Sequence, residues 1–152
     1  MPFTGDEYYM GLALAEAARA AEEGEIPVGA VVVGKGRVIG RGHNQTERLR
    51  DVTAHAEMLA ISAATQYTGG KYLSDCTLYV TVEPCPMCAG AIGWSQLRRV
   101  VIGTPDTKRG YTTILSPGKT PFHPRTEVTW GVRQDECRAA MQDFFKLKRA
   151  KQ

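Results

Sequence analysis

The stretch EPCPMCAGA, residues 83–91, decides how the rest of the chain is read. Two cysteines stand three apart behind a proline, after the apolar run TLYVTV (residues 77–82) and at a predicted helix start. A C-x-x-C pair is either a redox dithiol or part of a metal site. A redox pair of the thioredoxin type follows the first strand of its fold, whereas this one follows the third predicted strand. The stronger argument is HAE, residues 55–57, thirty positions upstream and again at a predicted helix start. His55 adds a third donor to Cys85 and Cys88, and one His with two Cys is a set that zinc accepts. There is neither a second C-x-x-C nor an H-x₃₋₅-H, so a closed four-ligand finger is not indicated. Cys76 belongs at the far end of the strand that precedes Cys85, and Cys137 on the last helix; core or surface filler is the plain reading of both. Three protein ligands leave one position for water, which is the arrangement of a catalytic zinc.

Placing the ligands at helix starts has a chemical consequence. Free N–H groups and a positive partial charge collect there and favour thiolates at Cys85 and Cys88. At i and i+3 the two sulfurs share one face of a turn. Glu57 lies two residues beyond His55. At a helix start both can line one pocket, which puts a carboxylate beside the water, able to accept a proton and return it to a substrate. The plain alternative for Glu57 is an acidic first-turn residue that complements the helix dipole.

Further out, the pattern predicts a helix over residues 7–23, with Thr4 and Glu7 as a capping box and Gly24 as the stop. The β-branched run IPVGAVVV (26–33) reads as a strand buried on both faces, and RVIGRGHN (37–44) as its return. After a polar loop over 45–52, a helix is predicted over 53–65 with Thr53 as its N-cap. Residues 77–84 read as a strand, 85–95 as a short helix with Pro86 in first position, and 98–105 as a strand. Residues 106–125 read as a long loop and 127–132 as a last strand. A final amphipathic helix over 135–150 carries Cys137, Met141, Phe144 and Phe145 on one face. Helices alternating with buried strands imply one α/β domain over 1–152 with three α/β/α layers.

Bulk properties agree. The chain has 152 residues, 43% hydrophobic and 23% charged, enough for one full-sized core. No apolar run is long enough to span a membrane. The N-terminus lacks a basic n-region, so no secretory signal is expected, and four unevenly spaced cysteines suggest reduced thiols in the cytoplasm. Net charge is +3, which does not by itself signal nucleic acid. Residues 133–152 hold six basic side chains against three acidic ones, a solvated helix face or a binding surface. Trp94 and Trp130 are expected in the core or at a subunit contact, and His123 as a loop histidine.

H-x-E followed by P-C-x-x-C is the signature of zinc-dependent nucleobase deaminases. HAE and PCPMC supply it here. The further stretches IPVGAVVV, VIGRGHN, TAHAEMLAI, RRVVIGTPDTKRG, HPRTEV and DFFKLKR resemble the bacterial tRNA adenosine deaminases that make inosine at the wobble position, over nearly the whole chain. The resemblance implies a cytidine deaminase-like fold with a central mixed sheet of about five strands. It implies one zinc ion per chain on His55, Cys85 and Cys88, with Glu57 as proton shuttle. By position it also implies that Asn44 hydrogen-bonds the base, that Asp106 and Lys108 lie near the flipped nucleotide, and that Phe145 packs by a neighbouring base. Lys146, Lys148 and Arg149 would then face phosphates. The implied partners are a tRNA anticodon stem-loop and a second copy of the chain. On periodicity alone Phe144 and Phe145 are core residues, and Asn44 is a turn residue. Two departures, His43 for a larger aromatic and Val52 for a proline, touch none of the chemistry. PCPMC also occurs in guanine deaminases, so a free-base or nucleoside substrate (guanine or cytidine) stays open. So does a zinc-holding or thiol-redox module without hydrolysis.

Overall fold

The computed structural model describes residues 5–151. Ten elements follow in the order α1 (Asp6–Glu22), β1 (Gly29–Gly34), β2 (Arg37–His43), α2 (Ala56–Thr68), β3 (Cys76–Val82), α3 (Pro86–Ser95), β4 (Arg99–Thr104), α4 (Tyr111–Ile114), β5 (Glu127–Trp130) and α5 (Gln134–Ala150). The five strands form one mixed sheet in the order β2-β1-β3-β4-β5. β1 pairs antiparallel with β2 and β3, whereas β3, β4 and β5 run parallel.

Period-two alternation splits the core into two layers. Ala30, Val32, Leu78, Val80, Val100 and Ile102 face α2 and α3, meeting Ala56, Ala60, Ala64, Ala89 and Ile92. Val31, Val33, Tyr79 and Val101 face the other way, onto Met10 and Ala13 of α1 and Cys137 of α5. Both faces are covered, which is why β1 and β3 read as continuous apolar runs. The result is the predicted three-layer α/β/α arrangement.

Close backbone approach sets where α2 lies. A Cβ at Gly40 or Gly42 of β2 would overlap the backbone of Ala60 and Ala64, or of Ala56 and Ala60. Only hydrogen at those positions lets the helix sit directly on the strand.

Two expectations need correction. α2 begins at Ala56, with His55 and not Thr53 as its N-cap. The Asp51 carboxylate accepts from the Thr53 amide at 2.8 Å and the Thr53 hydroxyl at 2.6 Å, so Thr53 is held in a turn before the helix. The long loop expected over 106–125 has little regular structure, as read from the sequence, and holds the single helical turn α4. The apolar stripe of α5 is divided: Cys137 is fully buried, whereas Met141, Phe144 and Phe145 stay partly open. Trp94 is 85% exposed and Trp130 42% exposed, so neither belongs to the core of this chain. The capping box expected at Thr4 lies outside the described residues.

Candidate active site

Two helices aim their first turns at one point. His55 is the N-cap of α2 and Cys85 the N-cap of α3, both extended in backbone, and neither side chain caps its own helix. They turn towards each other instead. His55 Nδ1 stands 3.6 Å from Cys85 Sγ and 3.4 Å from Cys88 Sγ, and all three donor atoms lie within 4.8 Å of one another. Zinc bonds to nitrogen and sulfur, meeting near the tetrahedral angle, put such donors about 3.5 Å apart. The spacing therefore fits a zinc ion without rearrangement.

The donor chemistry fits as well. The Cys85 thiol is pulled down to about 4, first by the Cys88 thiol and then by His55. Cys88 is pushed up by the Cys85 sulfur, by burial and by the Glu57 charge. His55 is raised, chiefly by its bond to Cys85. Electron-rich groups thus converge on one small space, where a dication satisfies all of them.

Glu57 is the second residue of α2 and is 4% exposed. Burial pushes its carboxyl up to about 7, and the Cys85 charge adds to this. The His55 ring and a hydrogen bond with Cys88 pull it the other way, but burial prevails. A carboxyl near neutrality can both accept and deliver a proton.

In front of this cluster opens a cavity of about 940 Å³, near the upper end for small-molecule sites. His55, Glu57 and Cys85 lie on its wall. So do Asn44, Asp106, Lys108 and Phe145, the four side chains expected at the substrate. Asn44 is buried at the end of β2, its amide bonded to the Val28 carbonyl at 3.1 Å. Asp106 accepts the Lys108 and Arg109 amides at 3.0 Å each, which shapes the loop after β4. Phe145 and Met141 reach the cavity from α5, so the stripe that reads as core on periodicity is cavity lining. Phe144 meets Phe145 edge-on, with ring centroids 5.3 Å apart.

Other lining residues carried no separate signal in the sequence. Arg138 and Gln142 of α5, Arg109 beside the Asp106 turn, and Glu83 before the cysteines all belong to the wall. Cys76 and Cys137 stand apart from the cluster; burial pushes their thiols up to about 11 and about 12. His123 accepts the Arg125 amide at 3.1 Å and stays in its loop.

Residues 4–104 match the family described as the cytidine and deoxycytidylate deaminase zinc-binding region. The chain is 44% identical over 150 residues to a tRNA-specific adenosine deaminase of Bacillus subtilis, covering 97% of this chain and 93% of that protein. It is 43% identical to a chloroplastic tRNA(adenine(34)) deaminase of Arabidopsis thaliana, matching 95% of this chain but only 12% of that much longer protein. A solved structure from work on tRNA:A34 deaminases and A-to-I editing superposes with a TM-score of 0.80 at 41% identity, covering 88% of this chain and 98% of the other. A guanine deaminase from Nitrosomonas europaea superposes with a TM-score of 0.79 at 27% identity, covering 93% and 85%.

Proposed function

The chain belongs to the cytidine and deoxycytidylate deaminase family, with tRNA-specific adenosine deaminases among its relatives; from that membership we propose that it converts adenosine to inosine at the wobble position of a tRNA anticodon loop. One observation carries the choice of substrate. Four cations, Lys108 and Arg109 from the loop after β4 and Arg138 and Arg149 from α5, line the same cavity as His55 and Cys85. A free purine base has no phosphates for them to meet, whereas a nucleotide within a strand has one on either side.

In this reading one zinc ion per chain is held by His55, Cys85 and Cys88. Bound there, it would supply the Lewis acidity that makes water nucleophilic near neutral pH. Glu57 accepts the proton of the attacking water and delivers it to N1 of adenine as water adds across C6. It then takes the proton of the new C6 hydroxyl and passes it to the amino group; the C6–N bond breaks, ammonia leaves, and C6 keeps the oxygen as a carbonyl. Asn44 can both donate to and accept from the purine edge. Phe145 offers a stacking surface to a neighbouring base. An anticodon loop is single-stranded already, so turning the target base into the cavity costs less than it would in a duplex.

We further propose a homodimer. Met87 and Trp94 of α3 are exposed at 37% and 85%, and nothing but hydrogen stands at Gly90 between them. That is an apolar face able to meet a second copy. The reduced cysteines and RNA substrate fit a cytoplasmic enzyme.

The test is direct. The purified protein is incubated with an anticodon stem-loop bearing a wobble adenosine, and separately with adenosine, cytidine and guanine. Inosine in the stem-loop alone supports the reading. The guanine deaminase likeness motivates the second one. Xanthine from guanine, with the stem-loop untouched, would establish that alternative instead.

A further inference from the structure

Glu83 is 4% exposed, directly follows the strand that leads into the cysteine motif, and lines the cavity with no role assigned to it above. Both of its carboxylate oxygens are in use. Oε1 accepts the Asp106 amide at 3.1 Å. Oε2 accepts the Thr112 amide at 2.9 Å and the Thr112 hydroxyl at 2.7 Å. The backbone adds two bonds in the same place: the Glu83 amide donates to the Thr104 carbonyl and the Tyr111 amide to the Pro84 carbonyl, each at 2.9 Å. A Cβ at Gly110 would overlap the Glu83 carboxylate, so the loop is folded tightly over it.

We infer that Glu83 is a positioning residue, which locks the cavity rim carrying Asp106, Lys108 and Arg109 to the segment carrying Cys85. The inference rests on the reading that this rim contacts the substrate strand. A buried carboxylate is costly unless its oxygens are hydrogen-bonded, and here they gather three donors from both ends of one loop. Asp106 then passes the order on, since its own carboxylate holds the amides of Lys108 and Arg109. The distance from metal ligand to rim thus runs through two residues, Pro84 and Glu83, and one shared carboxylate. Such rigidity matters because a rim already held in its binding conformation loses no binding free energy to ordering when the strand docks.

The test compares Glu83→Gln and Thr112→Val with the wild type. In Glu83→Gln the new NH₂ must face a donor, so one end of the loop is released. KM for the stem-loop should rise about tenfold, as expected for losing one hydrogen bond to a charged group. Turnover and zinc content should stay close to wild type. Amide exchange should quicken at residues 106–112 and not elsewhere. Thr112→Val, which removes a single hydroxyl, should move KM the same way but less, and serves if Glu83→Gln fails to fold. An unchanged KM, a fall in zinc content, or exchange that quickens throughout the molecule would overturn the inference. If the wild type itself leaves the stem-loop unmodified, the proposed function is wrong. The exchange pattern at 106–112 then decides the clamp alone.

Discussion

His55 and Cys85 occupy equivalent places on different helices, each the residue just before the first turn, with Nδ1 and Sγ 3.6 Å apart. The fold therefore brings two helix N-termini together as a consequence of making the site. Since an ion there would tie α2 to α3, it should also stabilise the whole domain. Cys85→Ala should lose stoichiometric zinc, and a chelator should lower the melting temperature of the wild type but not of the variant. Unaltered metal content in Cys85→Ala would rule out ligation.

Glu57 tests chemistry apart from metal binding. Its carboxyl lies beside the donor cluster but is not one of the three donors. Glu57→Ala should keep zinc while turnover falls by about 10²- to 10⁴-fold, the usual share of a positioned acid–base group. Normal turnover in this variant would remove the proton-shuttle role.

The support behind α2 is as testable as the site in front of it. Gly42 lies against the backbone of Ala60 and of Ala56, the residue between His55 and Glu57. A methyl group at Gly42 has to push the helix outward, since no flexible side-chain end is there to yield. Gly42→Ala should cost about 1–3 kcal/mol of stability as an overpacking change and weaken zinc binding as well. Full zinc affinity in a destabilised protein would show that the first turn of α2 does not depend on β2 for its position.

Much of this could be read from the residues, and the failures have identifiable causes. The convergence of His55, Cys85, Cys88 and Glu57 was legible because donor type and spacing constrain a site more than they constrain a fold. The start of α2 was misplaced because Asp51 draws Thr53 into a turn, a local contest that periodicity does not register. The stripe on α5 was legible as apolar, but one-dimensional spacing does not say whether an apolar face meets a core or a cavity. Cys137 meets the core; Met141 and Phe145 meet the cavity. Glu83 stayed silent because its partners lie 23 and 29 residues away.

Asp6 links stability to pH. Its two oxygens take Arg99 Nη1 at 2.6 Å and Nη2 at 2.7 Å, and the Tyr79 hydroxyl donates to it at 2.8 Å. The Arg99 guanidinium holds its carboxyl below the ordinary value of 3.8. A depressed folded pKa means that the stabilisation is complete above the unfolded pKa and is lost as pH falls through the folded one. The pair is partly exposed and screened, so it contributes about 1 kcal/mol, or about 2–4 °C in melting temperature. The gap between wild type and Asp6→Asn should be present at pH 7 and should close below about pH 4. A gap that widened in acid would contradict the ion pair as its source.

Phe145 separates the strand-binding reading from the free-base one. It lies on α5, partly open, with its ring on the cavity wall and against Phe144. Little of the core depends on it, so Phe145→Ala should change the melting temperature only slightly. If a base beside the target stacks on this ring, its loss removes about 1–3 kcal/mol of binding, or about 5- to 150-fold in kcat/KM for the stem-loop. Zinc content should not change, because the ring is no part of the His55–Cys85–Cys88 cluster. Steady-state kinetics on the stem-loop, with metal analysis of the same samples, make the comparison. An unchanged kcat/KM would leave α5 without a role in gripping RNA, and the free-base reading would gain accordingly.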